Sequence, residues 1–559
     1  MLEALNQNDY HYICDVDFTG EDLFIKTLRS VLEGGKAPST IDLAIVNHMK
    51  KYINRRLNDA VRRSPEFHDV IVPAYIKICP NKRLSDMFPD FCSHFQYAHL
   101  PHVIQDAPPD SPLFTPLPAK FPPPVNSTAK IIPKRTVTIK NPGYKIHWNW
   151  RGYRYHHIST GLYAKQGQLV RMTVPKHLTG KFSIQIGSGD HLYGRNLEKI
   201  LNGEKVIRPA LIDQRYDKNI IKEKTRICTP YGGLIYIDIY IDNKYGDFEL
   251  EFENVLDSPR FIYGQSDNKS WQESMEDSEA PMVELELPGI IIFTMAKLSI
   301  EKVKPNMEKV AEQWKEIMDT FNDLLGFGFP FPQRYKSDVE ISVGSEHAGY
   351  PMMCSGIDGC SYVWDLTDKT GKGINSGKAW GVFHEIGHML HERRWTPTAL
   401  REVTNNIMAE YVNEKLFNSK PAASSTAMTA KFRRGGKKFE NLGRWEFVNI
   451  FMIVVDECGW ETYEKFFRYY NEKMPHYLSS TVSPATDEIR FSTIAKVLSL
   501  SCNKNLVPYF RWWNWPVLDD TVEETQSLPV WENVEQMLDL SVAKCDEGKR
   551  CFSDPKIKH

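Results

Sequence analysis

The chain has 559 residues, 42% hydrophobic and 25% charged, the profile of a globular protein with several domains. Its 13 Trp, 25 Tyr and 28 Phe exclude a pervasively disordered polymer. With 69 Lys and Arg against 71 Asp and Glu the net charge is only -2, so the charge balance gives no case for nucleic acid as partner or for an anionic membrane surface.

The first residues carry acids at Glu3, Asp9, Asp15 and Asp17 and no apolar core of signal-peptide length. The most apolar run, Phe447 to Val455, is far short of the roughly 20 residues of a membrane span, so a chain that does not span a membrane is expected. Ten cysteines are scattered without a CxxC pair. In a chain of this size they read as buried or free thiols of a cytoplasmic protein rather than a disulfide scaffold. Two sequons, Asn126-Ser127-Thr128 and Asn268-Lys269-Ser270, are short enough to arise by chance.

Residues 1–105 read as helical: Leu23, Ile25, Leu28, Val31 and Leu32, then Leu43, Ile45, Val46, Met49 and Ile53, recur near helical spacing. The basic residues Lys50, Lys51, Arg55, Arg56, Arg62 and Arg63 form a solvated face. Residues 106–134 hold nine of the 34 prolines, which excludes helix and central strand and gives a linker that acts as an extended spacer. From 135 to 300, alternating runs such as Phe182-Ser-Ile-Gln-Ile and Gly233-Leu-Ile-Tyr-Ile, broken at Gly, Pro and Asn, predict an antiparallel β-sandwich. Trp148, Trp150, Tyr153 and Tyr155 at its start read as core, with sugar stacking the rarer use. From 301 to 540 helices dominate, over 303–325, 378–394, 400–417 and 445–470, with a strand at 339–344. Residues 541–559 form a C-terminal tail. The chain thus reads as an α+β multidomain protein.

One segment carries chemistry. His384-Glu385-Ile386-Gly387-His388 is an H-E-x-x-H motif, and on a helix the two histidines lie one turn apart on one face. Such a pair can share a zinc ion, with Glu385 beside them as base for a water molecule. Trp380, Phe383, Ile386 and Leu390 give the helix a side to bury. A catalytic zinc needs a third protein ligand. The metzincin pattern fails, because His391 and Arg394 stand where glycine and histidine are required. His391 lies about 10 Å along the axis from His384, too far to share the ion. Pro397 ends or redirects the helix, and the acids of the next one, Glu402 and Glu410, both remain candidates. Spacing favours Glu402, which begins that helix, with Asn406 one turn later as its supporting partner.

HEIGH, followed after Trp395 by EVTNNI-x-x-EYV, resembles the enhancin-like, mucin-directed metallopeptidases. Further matches include STGLYAKQGQLVRMTVP at Ser159–Pro175, TPYGGLIYI at Thr229–Ile237, APMVELELPGIIIFTM at Ala280–Met295 and HAGYPMM at His347–Met353. The resemblance spans about 140–535 and extends to the related domain of TRP-channel-associated factors. It implies a gluzincin-type catalytic domain behind an accessory sandwich. One zinc per chain would be held by His384, His388 and Glu402, with Glu385 as general base, and His347, Gly349 and Tyr350 would line the substrate cleft. Met389 departs from the Asn common at that position in the family. The implied function is an endopeptidase for protein or glycoprotein substrates of mucin type. The alternative is a channel-associated or scaffold protein that binds a membrane channel with the same fold, its zinc structural or vestigial.

Overall fold

A computed structural model of the chain describes residues 67–79, 107–114, 121–143, 155–192, 207–289, 291–356, 379–392, 394–418, 441–473 and 486–531, with a few single residues and short pieces between them. The expected helices of 18–65, the aromatic residues Trp148, Trp150 and Tyr153, and the C-terminal tail lie outside the described residues.

The sandwich forms where strict alternation calls for it. Its strands are β1 (Arg135–Ile139), β2 (Tyr155–Ala164), β3 (Val170–Thr173), β4 (Phe182–Ile186), β5 (Gln214–Tyr216), β6 (Lys224–Ile227), β7 (Gly233–Tyr240), β8 (Phe248–Glu253) and β9 (Leu256–Asp257). They divide into a four-stranded sheet, β1-β8-β3-β6, and a five-stranded sheet, β5-β4-β7-β2-β9. In β8 the pattern is the expected one, with Phe248, Leu250 and Phe252 buried and the glutamates between them turned outward.

The strands after Asp257 do something else. β10 (Arg260–Ile262), β11 (Met282–Leu287), β12 (Ile291–Ala296), β13 (Gln333–Asp338), β14 (Glu346–His347) and β15 (Met352–Ser355) build a separate mixed sheet of order β10-β11-β12-β13-β15-β14. The stretch from 260 to 296, grouped with the sandwich by its alternation, therefore belongs to the second unit. Parallel pairing of β12 with β13 explains this, because parallel neighbours need a crossover. Here α1 (Lys297–Val303) and α2 (Met307–Leu325) supply it. In α2, Val310, Ala311, Trp314, Ile317, Met318, Phe321, Leu324 and Leu325 recur at three- and four-residue spacing and are all buried. Asn306 caps its first turn by accepting from the Lys309 amide.

The strand expected at 339–344 is absent, and Val343 there is 60% exposed. The strand is β13 instead, whose polar residues Gln333, Arg334, Lys336, Ser337 and Asp338 are all buried. Their partners come from afar. Arg334 donates to Glu284 of β11 at 2.8 Å and to Ser159 of β2 at 2.8 Å. Arg208, fully buried, donates to Asp338 at 2.7 Å and to the carbonyls of Asp190 and Glu340. These two guanidiniums bind the sandwich to the mixed sheet, and each buried charge is met by a carboxylate.

Further along the chain come α3 (Trp380–Leu390), α4 (Thr404–Phe417), α5 (Arg444–Cys458), α6 (Glu461–Lys473), α7 (Asp487–Cys502), α8 (Val507–Trp512) and α9 (Asp519–Thr525). The helix expected over 445–470 is two, broken where Gly459 takes a positive φ after α5. Among its described residues the proline-rich segment mostly lacks regular structure, as expected, but it is no spacer. Leu113, Phe114, Phe121, Val125 and Ala129 are buried in one cluster with Tyr163, Tyr231 and Met282. The Gln166 amide bonds both backbone groups of Val125.

The thiol expectation is corrected too. Cys79–Cys92, Cys354–Cys360 and Cys458–Cys502 are disulfides, with Cα–Cα distances of 5.4, 6.3 and 5.5 Å. Only Cys228 stays a buried thiol among the described residues. Spacing could not show the third pair, since its partners meet only because α5 and α7 end side by side.

Candidate metal centre

The HEIGH motif lies on α3 as its spacing requires. Val382, Phe383, Ile386, Met389 and Leu390 are fully buried and fix one side of the helix in the core. Phe383 sits among Trp314, Phe321 and Phe417, with ring centroids 6.1–6.4 Å away. Burial of each such side chain contributes on the order of 1.5–3 kcal/mol, which holds the opposite face of α3 in place. That face carries His384 and His388, their rings perpendicular with centroids 4.6 Å apart.

The segment from Pro397 to α4 delivers the third donor. Successive turns, Leu400 to Pro397 and Val403 to Leu400, bend the chain back toward α3. Glu402 lies in this turn, two residues before the helix it was expected to begin. Gly387 permits the approach: a Cβ there would meet the Asn405 carbonyl oxygen at 2.8 Å and its Cα at 2.9 Å. Oε2 of Glu402 comes to 3.2 Å from Nε2 of His384 and 3.3 Å from Nε2 of His388.

These three side chains form a group able to hold a metal ion. A tetrahedral ion with bonds of about 2.0–2.1 Å has ligand–ligand edges of roughly 3.3–3.4 Å, so the donor spacing fits. The tautomer fits as well. Nδ1 of His384 donates to Oδ1 of Asn406 at 2.5 Å, which leaves the Nε2 lone pair toward Glu402. Asn406 is itself anchored by its amide to the Glu402 carbonyl at 2.8 Å. The two imidazoles hold the Glu402 carboxyl far below the usual carboxylate range, with His384 the larger influence. Burial opposes charge on His384, but Glu402 and Glu385 outweigh it and raise its pKa.

Glu385 is buried beside the pair, with Oε2 unmatched by any hydrogen-bond donor among the described residues. Burial pushes its pKa up to about 7, against the charge of His384. The facing wall is β14. Glu346 presses its carboxylate against Gly381 at the start of α3, where a Cβ would lie 2.3 Å from it, and accepts from the Tyr335 hydroxyl at 2.8 Å. Its neighbour His347 bonds Asp190 of the loop after β4 at 2.8 Å and the Ala348 carbonyl at 3.1 Å. Asp190 is thereby held well below its ordinary pKa and His347 above its own.

The site residues expected from the sequence separate into two groups. His384, Glu385, His388 and Glu402 stand together, and His347 is close enough for its charge to act on Glu385. The Tyr350 hydroxyl bonds the Pro332 carbonyl and the His157 amide, and its ring stacks on His157 at 5.0 Å. A Cβ at Gly349 would lie 2.9 Å from the Pro351 carbonyl oxygen. Glu410 is 2% exposed and does not join the metal group. His391 falls just past the end of α3, where it bonds the Thr404 hydroxyl at 2.7 Å and sets its ring edge-on to His388.

Residues 254–514 match the family model "Peptidase M60, enhancin and enhancin-like", and residues 138–253 match the N-terminal domain of M60-like peptidases. The two models join between β8 and β9 and together span the site and both units. The chain belongs to the M60 peptidase family. Among curated relatives, this M60 chain is 28% identical over 409 residues to the TRPM8 channel-associated factor homolog of Danio rerio, covering 71% of this chain and 42% of that protein. It therefore spans about two fifths of the length of that relative.

Solved structures share the M60 fold at low identity. The IMPa metallopeptidase of Pseudomonas aeruginosa, in complex with an O-glycopeptide, superposes with a TM-score of 0.56 at 13% identity, covering 92% of this chain and 63% of that one. The ZmpB metallopeptidase of Clostridium perfringens gives 0.53 at 15%, covering 71% and 80%. No described helix is long and apolar enough to cross a membrane.

Sequence reasoning missed three contributors. Asn405, fully buried, sets its amide 2.9–3.0 Å from Nε2 of both histidines. Trp380 packs on the His384 ring at 4.9 Å. Asp190 arrives from the sandwich. The Asn pair was visible in EVTNNI, yet which of the two would reach His384 depends on the helix phase; Asp190 carries no local signal.

Proposed function

We propose that the chain is a zinc-dependent endopeptidase acting on O-glycosylated proteins of mucin type. The observation that carries this reading is the convergence of His384, His388 and Glu402 next to a buried carboxylate, Glu385, with an unmatched oxygen. His384 and His388 would hold zinc through Nε2 and Glu402 through its carboxylate. Zinc, when bound, supplies a Lewis acid that acidifies water and polarises a carbonyl. Glu385 takes the proton from the attacking water and gives it to the leaving amine, for which a pKa near neutrality suits it. Asn406 fixes the ring of His384 while this happens. The substrate class rests on membership of the M60 family and on the O-glycopeptide held by the IMPa relative of like fold.

Incubation of the purified chain with a mucin, with and without a chelator, tests the proposal. Internal peptide cuts that vanish with chelator are expected, whereas release of single terminal residues would indicate an exopeptidase. A second reading has one observation in its favour, the relationship to TRPM8 channel-associated factors. On that reading the fold docks a membrane channel and the metal is structural or vestigial. Channel capture by a chain that cuts no substrate is its expected signature; that capture is lost with the metal where the metal is structural and survives its loss where the metal is vestigial.

A further inference from the structure

The sequon at Asn126 and the cysteine pairs have no place in the peptidase chemistry, and they point the same way. Six of the seven described cysteines are joined as Cys79–Cys92, Cys354–Cys360 and Cys458–Cys502, and the seventh is sealed in the interior. Such pairing forms and persists in oxidising compartments and is rare where thiol reductants dominate. The three pairs lie in different parts of the fold, one in the segment before the sandwich, one at the mixed sheet and one between two helix ends. They thus reflect the surroundings of the whole chain during folding rather than one local redox centre.

Asn126 is built to be modified in such a compartment. Asn126, Ser127 and Thr128 are all exposed, between the buried Val125 and Ala129. The backbone turns there, with the Ala129 amide donating to the Asn126 carbonyl at 3.1 Å. Oδ1 of Asn126 accepts from the Thr128 amide at 3.1 Å and from the Thr128 hydroxyl at 3.0 Å, so the two side chains that define the sequon already touch. Nδ2 has no hydrogen-bond partner among the described residues. The prolines before the turn keep the segment out of helix and sheet, so a bulky substituent displaces no ladder.

The second sequon serves as an internal comparison. Asn268 opens a short helix, residues 268–277, is only partly exposed, and uses its side-chain oxygen to accept the Met307 amide at 3.1 Å. Ser270 is committed to the capping box with Asp267. Asn268 is thus locked where Asn126 is presented.

We propose that Asn126 carries an N-linked glycan and that the chain folds in the oxidising compartment where that transfer takes place. The donor is an oligosaccharide linked through pyrophosphate to a lipid. A bond forms between Nδ2 of Asn126 and the anomeric carbon, and the anomeric C–O bond to pyrophosphate breaks. The lipid pyrophosphate leaves with the electron pair, and the amide gives up one proton. This inference is independent of the peptidase reading and replaces the cytoplasmic, reduced-thiol expectation drawn from composition.

The full chain isolated from the cells that produce it tests the proposal. Peptide-N-glycosidase treatment is expected to increase its gel mobility by one glycan and to convert Asn126 to Asp in the peptide mass spectrum. Thiol-reactive label is expected at the six paired cysteines only after reduction. In the same cells Asn126→Gln abolishes the mobility shift while Asn268→Gln keeps it. An unmodified Asn126 peptide overturns the proposal, as does a glycan on Asn268 alone, or paired cysteines that accept label without reduction.

Discussion

Asn406 Oδ1 accepts a hydrogen bond from Nδ1 of His384 at 2.5 Å while its Nδ2 donates to the Glu402 carbonyl, so one amide aligns one ligand with the turn that bears another. Removal of that amide leaves His384 free to rotate and to change tautomer. Asn406→Ala is expected to weaken zinc binding about 10–100-fold, measured by competition with a chromophoric chelator. Asn406→Asp restores an acceptor and is expected to recover most of the affinity. An Ala variant that binds zinc as tightly as the parent would show that the ring is fixed by other means.

Gly387 sets the distance between the two helices of the site. A methyl group at this position meets backbone atoms of Asn405 at 2.8 and 2.9 Å, and backbone cannot rotate away. Gly387→Ala is expected to cost about 1–3 kcal/mol of stability in chelator and to loosen the metal site as well. Denaturant unfolding of the metal-free chain together with zinc titration checks both. An unchanged midpoint and affinity would mean that α3 and α4 yield more easily than their packing indicates.

Glu410 carries a pH prediction. It is 2% exposed, and burial pushes its pKa up to about 7, with the Trp380 indole opposing and the charge of Glu414 adding. In the unfolded chain it ionises near its ordinary 4.5, so between 4.5 and about 7 the folded state binds the extra proton. Its contribution therefore favours folding below this window and is lost as pH rises through it. Glu410→Gln keeps the shape without the charge, and it is expected to be more stable than the parent by about 2–4 kcal/mol at pH 8 and equal to it near pH 4. A difference that does not grow with pH would place the Glu410 carboxyl in contact with water.

The sequence made the site more legible than the fold around it. The ligands sit within 19 positions of one another, so the period of one helix pairs His384 with His388, and the break at Pro397 leaves Glu402 and Glu410 as the candidates for the third. Glu410 was a credible rival only because the phase of α4 relative to α3 depends on packing at Gly387, which no local pattern states. β13 was illegible for the opposite reason. Its Arg334 and Asp338 are paired with Glu284 and Arg208, 50 and 130 positions away, so a buried central strand looks polar along the chain. The Cys458–Cys502 disulfide escaped notice because its partners meet across 44 residues through helix packing alone.

The most direct measurement compares the wild type with Glu385→Gln on an O-glycosylated protein, with metal content determined on the same samples. If Glu385 moves the proton and His384, His388 and Glu402 hold the ion, both proteins carry one zinc per chain. Only the wild type then makes internal cuts, and chelator stops them. Zinc-loaded wild type that leaves the substrate whole, or a Gln variant that cuts as fast as the parent, would contradict the peptidase assignment.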